Sequence, residues 1–408
     1  MDILIQPSLL KGRIKVPASK SVAHRLIIAA ALAAGESEIS DLSPSKDILA
    51  TAEAMRALGA EIELSGSTAR VKGITAPPAE AVIDCGESGS TLRFLIPVAA
   101  ALGVRATFIG HGRLPERPIT PYLDELPAHG VSFDYSGTMP FTVSGRLAAG
   151  EYRIGGDISS QFITGLLLGL SVTEGESSIV LTSHLESRPY VDITAECLSR
   201  FGCTVTETET GYRIAGKRAL SPCSTAVEGD WSQAAFFETA NSLGSSIEID
   251  GLNVNSAQGD KKILEICREI VYNENGALRP FELDCSDIPD LVPILAVLAS
   301  FCRGRSRLFG AARLRIKESD RLAAVSQCLN GIGGRVTETS DGLIIDGVPS
   351  LKGGEADSFN DHRIAMAMAI AATRCRDPLL VRGAECVSKS FPDFWEQYER
   401  LGGIFREV

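Results

Sequence analysis

The sequence predicts an α/β (α+β) protein of two domains, each built from three βαβαββ repeats. Three observations predict it. A marker glycine returns at a near-constant interval, a strand, polar turn and apolar helix return six times, and the last repeat lacks a strand that residues 2–5 can supply.

The glycine repeat comes first. LGAEIELSGSTARVKG (58–73), HGVSFDYSGTMPFTVSG (129–145), FGCTVTETETGYRIAG (201–216) and IGGRVTETSDGLIIDG (332–347) each read as a helix end with Gly, then two short alternating strands around a turn. LGGIFREV (401–408) is a truncated fifth. Gly59, Gly130, Gly202, Gly333 and Gly402 are spaced by 71, 72, 131 and 69 residues, so the long interval holds two units, one of them shortened. ICREIVYNENGALRPFEL (266–283) is that unit, with a helix but a degenerate hairpin expected near 271–283.

The other half of the repeat appears in GRIKVPASKSVAHRLIIAAALAAG, VIDCGESGSTLRFLIPVAAAL, YRIGGDISSQFITGLLLGL, TAVEGDWSQAAFFETANSL, FELDCSDIPDLVPILAVLA and ADSFNDHRIAMAMAIAA. Their helices are apolar nearly all round and should be buried, whereas the second helix of each repeat, such as SKDILATAEAMRALG, is amphipathic and should lie outside. The final repeat is short of one strand, and DILI (2–5) is otherwise unpaired. The expected organisation is therefore discontinuous: residues 1–18 with 228–408 form one domain and 19–227 the other, with KRALSPCST (217–225) as one crossing and the ligand site in the cleft between the domains.

Composition sets the bounds. A chain of 408 residues exceeds what one core usually supports, and 44% hydrophobic with 22% charged residues describes a globular protein. A net charge of −11 with 6% aromatics argues against a nucleic-acid surface. The longest apolar runs, Leu26–Ala34 and Leu291–Phe301, fall short of a membrane span, and the first residues do not read as a secretory signal, so a cytoplasmic protein is expected. The ten cysteines contain no CxxC and the five histidines no HxxxH, so neither disulfides nor a metal are expected.

The polar residues gather at one place in each repeat, the turn before or the start of a helix. ASKSVAHR, CGESGSTLR, RLPERPIT, DISSQF, LESRPY, SDIPD, RIKESDR, NDHR and SKSFPD follow in that order. Free backbone N–H groups together with Lys20, Arg25, Arg93, Arg117, Lys317, Arg321, Arg363 and Lys389 suit an anionic ligand. Taken singly, each string has a bland reading: SSQ is an ordinary cap, GESGST lacks the Lys of a phosphate loop, and SPSK (43–46) lacks its partner motifs. Recurrence at one pole of six units is what the bland reading leaves unexplained. RIKESDR is the densest case, with Lys317 and Arg321 expected four residues apart on the first turn of a helix, where two cations at a positive dipole end call for an anion. Asp290 and Glu318 are isolated carboxylates that can move protons beside Lys20 and Lys389.

In this order and at these separations, the nine motifs resemble the 5-enolpyruvylshikimate-3-phosphate synthase family over nearly the whole chain. The resemblance implies a two-domain inverse α/β barrel that closes on its substrates. It also implies transfer of the enolpyruvyl group of phosphoenolpyruvate to the 5-hydroxyl of shikimate 3-phosphate, releasing phosphate through a tetrahedral intermediate, with no metal and no cofactor. By motif, it implies that Lys20, Ser21, Arg25, Ser159, Ser160, Gln161, Ser187, Asp290 and Lys317 contact shikimate 3-phosphate. Lys20, Gly89, Arg117, Gln161, Arg321, Arg363 and Lys389 would contact phosphoenolpyruvate. Asp290 would take the hydroxyl proton, and Glu318 with Lys20 would handle the methylene proton.

The chain departs from the family pattern at Glu87 and Ser88, which precede Gly89 where an Asn and an Ala are common, and at Arg313, near where many members carry a substrate-binding Asn. Glyphosate-like inhibitors are further ligands by the same resemblance, and a monomer is expected. Two rivals stand beside this reading. One is the sister transferase acting on UDP-N-acetylglucosamine, which typically uses a loop Cys that GHGRLPERPIT lacks, and the other is a catalytically silent anion-binding homologue.

Overall fold

A computed structural model describes residues 1–217, 219–270 and 278–408. The chain divides into two compact units, one of Met1–Pro17 with Gly229–Val408 and an inserted one of Ala18–Glu228.

The inserted unit holds three four-stranded sheets of one pattern: a parallel pair, then an antiparallel hairpin. Their orders are Ser224–Ala226, Glu36–Ser40, Thr68–Lys72, Glu61–Ser65; then Glu80–Asp84, Arg105–Ile109, Phe141–Gly145, Val131–Asp134; then Glu151–Ile154, Gly175–Leu181, Gly211–Gly216, Val205–Thr208. Each parallel pair demands a crossover, and the apolar helices Lys20–Ala31, Gly89–Leu102 and Ser160–Leu170 belong to these repeats. These helices are buried almost throughout, as their all-round apolar sequences require.

The discontinuous unit repeats the pattern. Glu282–Asp284, Arg305–Phe309, Leu343–Asp346 and Val336–Glu338 form one sheet. In another, Gly354–Asp357 and Leu379–Arg382 are followed by Ile3–Gln6, antiparallel to both Leu379–Arg382 and Ile404–Glu407. The DILI candidate thus occupies the missing place in the last repeat. The third sheet pairs only Lys11–Lys15 with Ser246–Asp250 among the described residues. Its expected degenerate hairpin begins in residues 271–277, which lie outside the described residues. The helices Trp231–Ser242, Val292–Ser300 and His362–Ala372 carry the core, the last two buried along their whole length.

The five marker glycines all adopt the left-handed backbone that Gly alone enters at little cost, with φ of 106° at Gly59, 86° at Gly130, 76° at Gly202, 95° at Gly333 and 89° at Gly402. The period read from the sequence is therefore a period of helix terminations. No described helix is long and apolar enough to cross a membrane, and no described group of His, Cys, Asp and Glu could hold a metal ion.

Candidate active site

Five of the six core helices start on a short polar side chain that accepts from their own first turn: Ser19 from Val22 N, Ser88 from Thr91 N, Ser159 from Gln161 N, Asp230 from Gln233 N and Asp361 from Arg363 N. The sixth, Val292–Ser300, is preceded by the turn Pro289–Leu291, which carries Asp290. Of the candidate residues read from sequence, Lys20, Ser21, Gly89, Ser159, Ser160, Gln161 and Arg363 stand at or next to these caps, where unpaired N–H groups stabilise anions.

In the inserted unit Arg25 and Arg93 both donate to neutral groups. Arg25, only 2% exposed, donates from Nε to Thr194 Oγ1 at 2.8 Å, from Nη1 to Ser21 O at 2.6 Å, and from Nη2 to Thr164 Oγ1 at 3.2 Å and Tyr190 O at 2.9 Å. Phe94 lies 5.0 Å below it. Among the described residues no carboxylate pairs with it, and burial lowers its pKa to about 10. Arg93 donates to Gln161 Oε1 at 2.7 Å and Pro118 O at 3.0 Å, while Gln161 Nε2 donates to Ser90 Oγ at 3.0 Å. Pro97, inside the same helix, has no N–H to offer the Arg93 carbonyl one turn back, and the Tyr122 hydroxyl meets that carbonyl instead at 2.8 Å. Gly165 and Gly169 let the helix Ser160–Leu170 approach this spot: a Cβ on Gly165 would lie 2.3 Å from Arg93 O, and one on Gly169 2.8 Å from Pro97 O.

Arg117 is buried with its guanidinium against Gly89, where a Cβ would lie 2.4 Å from Nη1. Lys20 is the charged exception, 2.8 Å from Asp47 Oδ2. Ser159 and Ser160 are buried at the cap of their helix, and Ser187, also buried, holds φ 58° at the head of Arg188–Arg200. That conformation strains a residue with a Cβ, and Tyr190, which accepts from Arg25, follows within the same turn.

The discontinuous unit is arranged differently. Arg321, 1% exposed, donates through all three nitrogens to carboxylates: Nη1 to Asp290 at 2.8 Å, Nη2 to Glu318 at 2.7 Å and Nε to Asp361 at 2.8 Å. Arg363 Nη2 reaches the other oxygen of Asp290 at 2.7 Å. Asp361 also accepts from Ser319 Oγ at 3.0 Å, and Lys389 Nζ donates to Asn360 O at 2.7 Å. Burial alone would raise the Asp290 carboxyl, but Arg363, Lys317 and Arg321 outweigh it and hold the group well below the usual range. Half-buried Lys317 is lowered by desolvation to about 8 despite Asp290. Arg313 is buried and donates to the Ser286 carbonyl.

One sequence expectation is corrected. Lys317 is not on the first helical turn with Arg321: Ala312–Ile316 is a tight 3-10 turn, Lys317 follows it in extended backbone, and the helix runs Arg321–Gly331. The cause is Asp320, whose side chain accepts from Ala323 N at 3.1 Å and fixes the start. Arg321 thus sits at the positive helix end as expected, with its charge met by the protein's own carboxylates. Asp361, Asp47 and Thr194 were not singled out from sequence. Asp361 was findable, because in NDHR it occupies the cap position that Ser19, Ser88 and Ser159 hold in their repeats; nothing local marks Thr194.

The family model for EPSP synthase (3-phosphoshikimate 1-carboxyvinyltransferase) matches residues 4–398. A protein named 3-phosphoshikimate 1-carboxyvinyltransferase from Clostridium kluyveri is 44% identical, covering 99% of this chain and 98% of its own. Another of that name from Clostridium perfringens is 42% identical and covers 99% of each. The solved EPSP synthase of Acinetobacter baumannii has a TM-score of 0.82 at 28% identity, covering 100% of both chains. An enolpyruvyl transferase from Streptomyces tendae has a TM-score of 0.80 at 18% identity, covering 100% of this chain and 98% of its own, and supports the fold alone. The fold class is the inverse α/β barrel that the sequence resemblance implied.

Proposed function

Because the chain belongs to the EPSP synthase family, we propose that it transfers the enolpyruvyl group of phosphoenolpyruvate to the 5-hydroxyl of shikimate 3-phosphate and releases phosphate. The observation that carries the reading is the pairing of two chemistries. One is a half-buried carboxylate, Asp290, kept ionised by Arg321 and Arg363, and the other is a set of buried arginines, Arg25 and Arg117, that no described carboxylate neutralises.

Arg25 with Ser21, Ser159, Ser160, Gln161 and Ser187 would take the phosphate and hydroxyls of shikimate 3-phosphate, joined by Lys317. Lys20, Gly89, Arg117, Gln161, Arg321, Arg363 and Lys389 would take phosphoenolpyruvate. Asp290 is the proton acceptor for the attacking hydroxyl. As it stands it is a weak base, since three cations hold its proton affinity down. An incoming carboxylate or phosphate that shares Arg363 and Arg321 weakens their hold and makes Asp290 more basic when the second substrate has arrived. Glu318 on Arg321, with Lys20, handles the proton of the methylene carbon. Preorganised cations around a developing anionic intermediate supply the stabilisation.

The reaction as read needs neither metal nor cofactor. A monomer in the cytoplasm, with glyphosate-like inhibitors competing against phosphoenolpyruvate beside Gly89 and Arg117, completes the reading. Phosphate release is expected only when shikimate 3-phosphate and phosphoenolpyruvate are both supplied. Release with UDP-N-acetylglucosamine in place of shikimate 3-phosphate would overturn the assignment, and no release with either acceptor would mark a silent homologue.

A further inference from the structure

Behind the Gly89 turn lies a file of four buried polar side chains that the proposed chemistry does not use. His24 Nδ1 is 2.7 Å from Thr51 Oγ1, Thr51 Oγ1 is 2.6 Å from Thr91 Oγ1, and Thr91 Oγ1 donates to Ser88 Oγ at 2.8 Å. All four residues are at most 1% exposed. A hydroxyl has one hydrogen to give. With that of Thr91 committed to Ser88, Thr51 must donate to Thr91, and His24 Nδ1 must carry the hydrogen that Thr51 accepts. The imidazole is thereby fixed as the neutral Nδ1–H tautomer, its bare Nε2 enclosed without a hydrogen-bond partner.

The file is one of two rungs between the same pair of helices. Lys20 and His24 stand four residues apart on Lys20–Ala31, and Asp47 and Thr51 stand four apart on Lys46–Ala57, so each pair shares a face. Lys20 bonds Asp47 at 2.8 Å and His24 bonds Thr51 one turn further on. The far end of the file is Ser88, which caps the helix starting at Gly89 by accepting from Thr91 N at 3.1 Å.

We propose that His24 is a positioning residue for phosphoenolpyruvate binding, holding Thr51, Thr91 and Ser88 in a one-way hydrogen-bond file that fixes the Gly89 turn and sets the reach of Lys20. The proposal rests on the reading of Lys20, Gly89 and Arg117 as phosphoenolpyruvate contacts. A core histidine that merely fills space would tolerate an isosteric apolar replacement with loss of stability only. A positioning histidine requires its Nδ1–H.

The experiment compares His24→Leu, His24→Asn and Thr91→Val in the full chain, reading both KM values, kcat and Tm, with ¹⁵N NMR of the wild-type imidazole. His24→Leu and Thr91→Val are expected to raise the KM for phosphoenolpyruvate about tenfold while that for shikimate 3-phosphate moves less than about twofold. His24→Asn, whose amide nitrogen falls near the place of Nδ1, restores the wild-type value, and NMR finds the Nδ1–H tautomer. A fall in Tm with both KM values unchanged, an equal rise in both, no rescue by Asn, or an Nε2–H imidazole overturns the proposal. Failure of the functional reading is distinguishable, because then the wild type itself releases no phosphate from the two substrates.

Discussion

Two buried arginines, Arg25 in the inserted unit and Arg321 in the discontinuous one, are met in opposite ways. In the inserted unit Arg25 is satisfied by hydroxyls and carbonyls, which meet its hydrogen bonds without cancelling its charge. In the discontinuous unit Arg321 is surrounded by Asp290, Glu318 and Asp361, which do both. A buried cation left charged is costly until an anion arrives, so the first arrangement suits the binding role proposed for it. A cation held among carboxylates tunes their proton affinity, so the second suits the proton transfer proposed for it. Removing a member of each set should therefore damage different quantities.

The largest effect is expected at Asp290. Asp290→Asn retains the size and part of the hydrogen bonding to Arg321 and Arg363 but cannot accept a proton, so kcat should fall by about 10³ or more while substrate affinity is nearly kept. Near-normal turnover would remove it as the base. Next is Arg25→Met, which keeps the apolar stem and removes the charge. Affinity for shikimate 3-phosphate should weaken by about 1.5 to 3 kcal/mol, roughly tenfold to over a hundredfold. Titration calorimetry measures it, and unchanged affinity would make Arg25 a structural residue. Gly89→Ala comes third: its methyl must displace the Arg117 guanidinium, and the KM for phosphoenolpyruvate should rise about tenfold, in line with about 1 to 3 kcal/mol of overpacking. A KM that does not move would leave Gly89 as a turn residue only.

How much of this contrast could be read from the chain follows from the range of the forces involved. The repeat was legible because helix ends demand left-handed glycines and caps demand Ser or Asp, both local requirements; Gly59, Gly130 and Ser88 announce themselves. Lys20, Arg321 and Arg363 were legible for the same reason, each lying in the first turn of a helix. What neutralises them was not, because Asp361 meets Arg321 across 40 residues and Thr194 meets Arg25 across 169. The misplaced Lys317 shows the limit even locally: helical spacing ran on through RIKESDR, and only the Asp320 cap decides where the helix begins.

The smallest expected effect is on stability against pH, and it has opposite sign in the two units. Burial, then Lys20 and Arg25, lower the pKa of His24, so the unfolded chain takes up the proton first and stability falls as pH drops below about 6.5. Burial, reinforced by Asp290, raises Asp260 to about 7, so this group's contribution is present at low pH and is lost as pH rises from about 4 through 7. Asp260→Asn should therefore gain stability relative to wild type between pH 5 and pH 8, on the order of 1 kcal/mol, in urea unfolding at the two values. An equal change at both would mean that Asp260 is not a buried acid of this kind.

The proposed division of labour gives binding to the inserted unit's arginine and proton movement to the discontinuous unit's carboxylate. Its most direct test is a paired titration of Asp290→Asn and Arg25→Met with shikimate 3-phosphate, with kcat of both measured at saturating substrate. The expected result is a crossing: Asp290→Asn binds within about threefold of wild type yet turns over about 10³-fold more slowly, and Arg25→Met binds weakly yet retains most of its turnover once saturated. If both variants lose affinity and turnover together, the division of labour between the two kinds of buried arginine is contradicted.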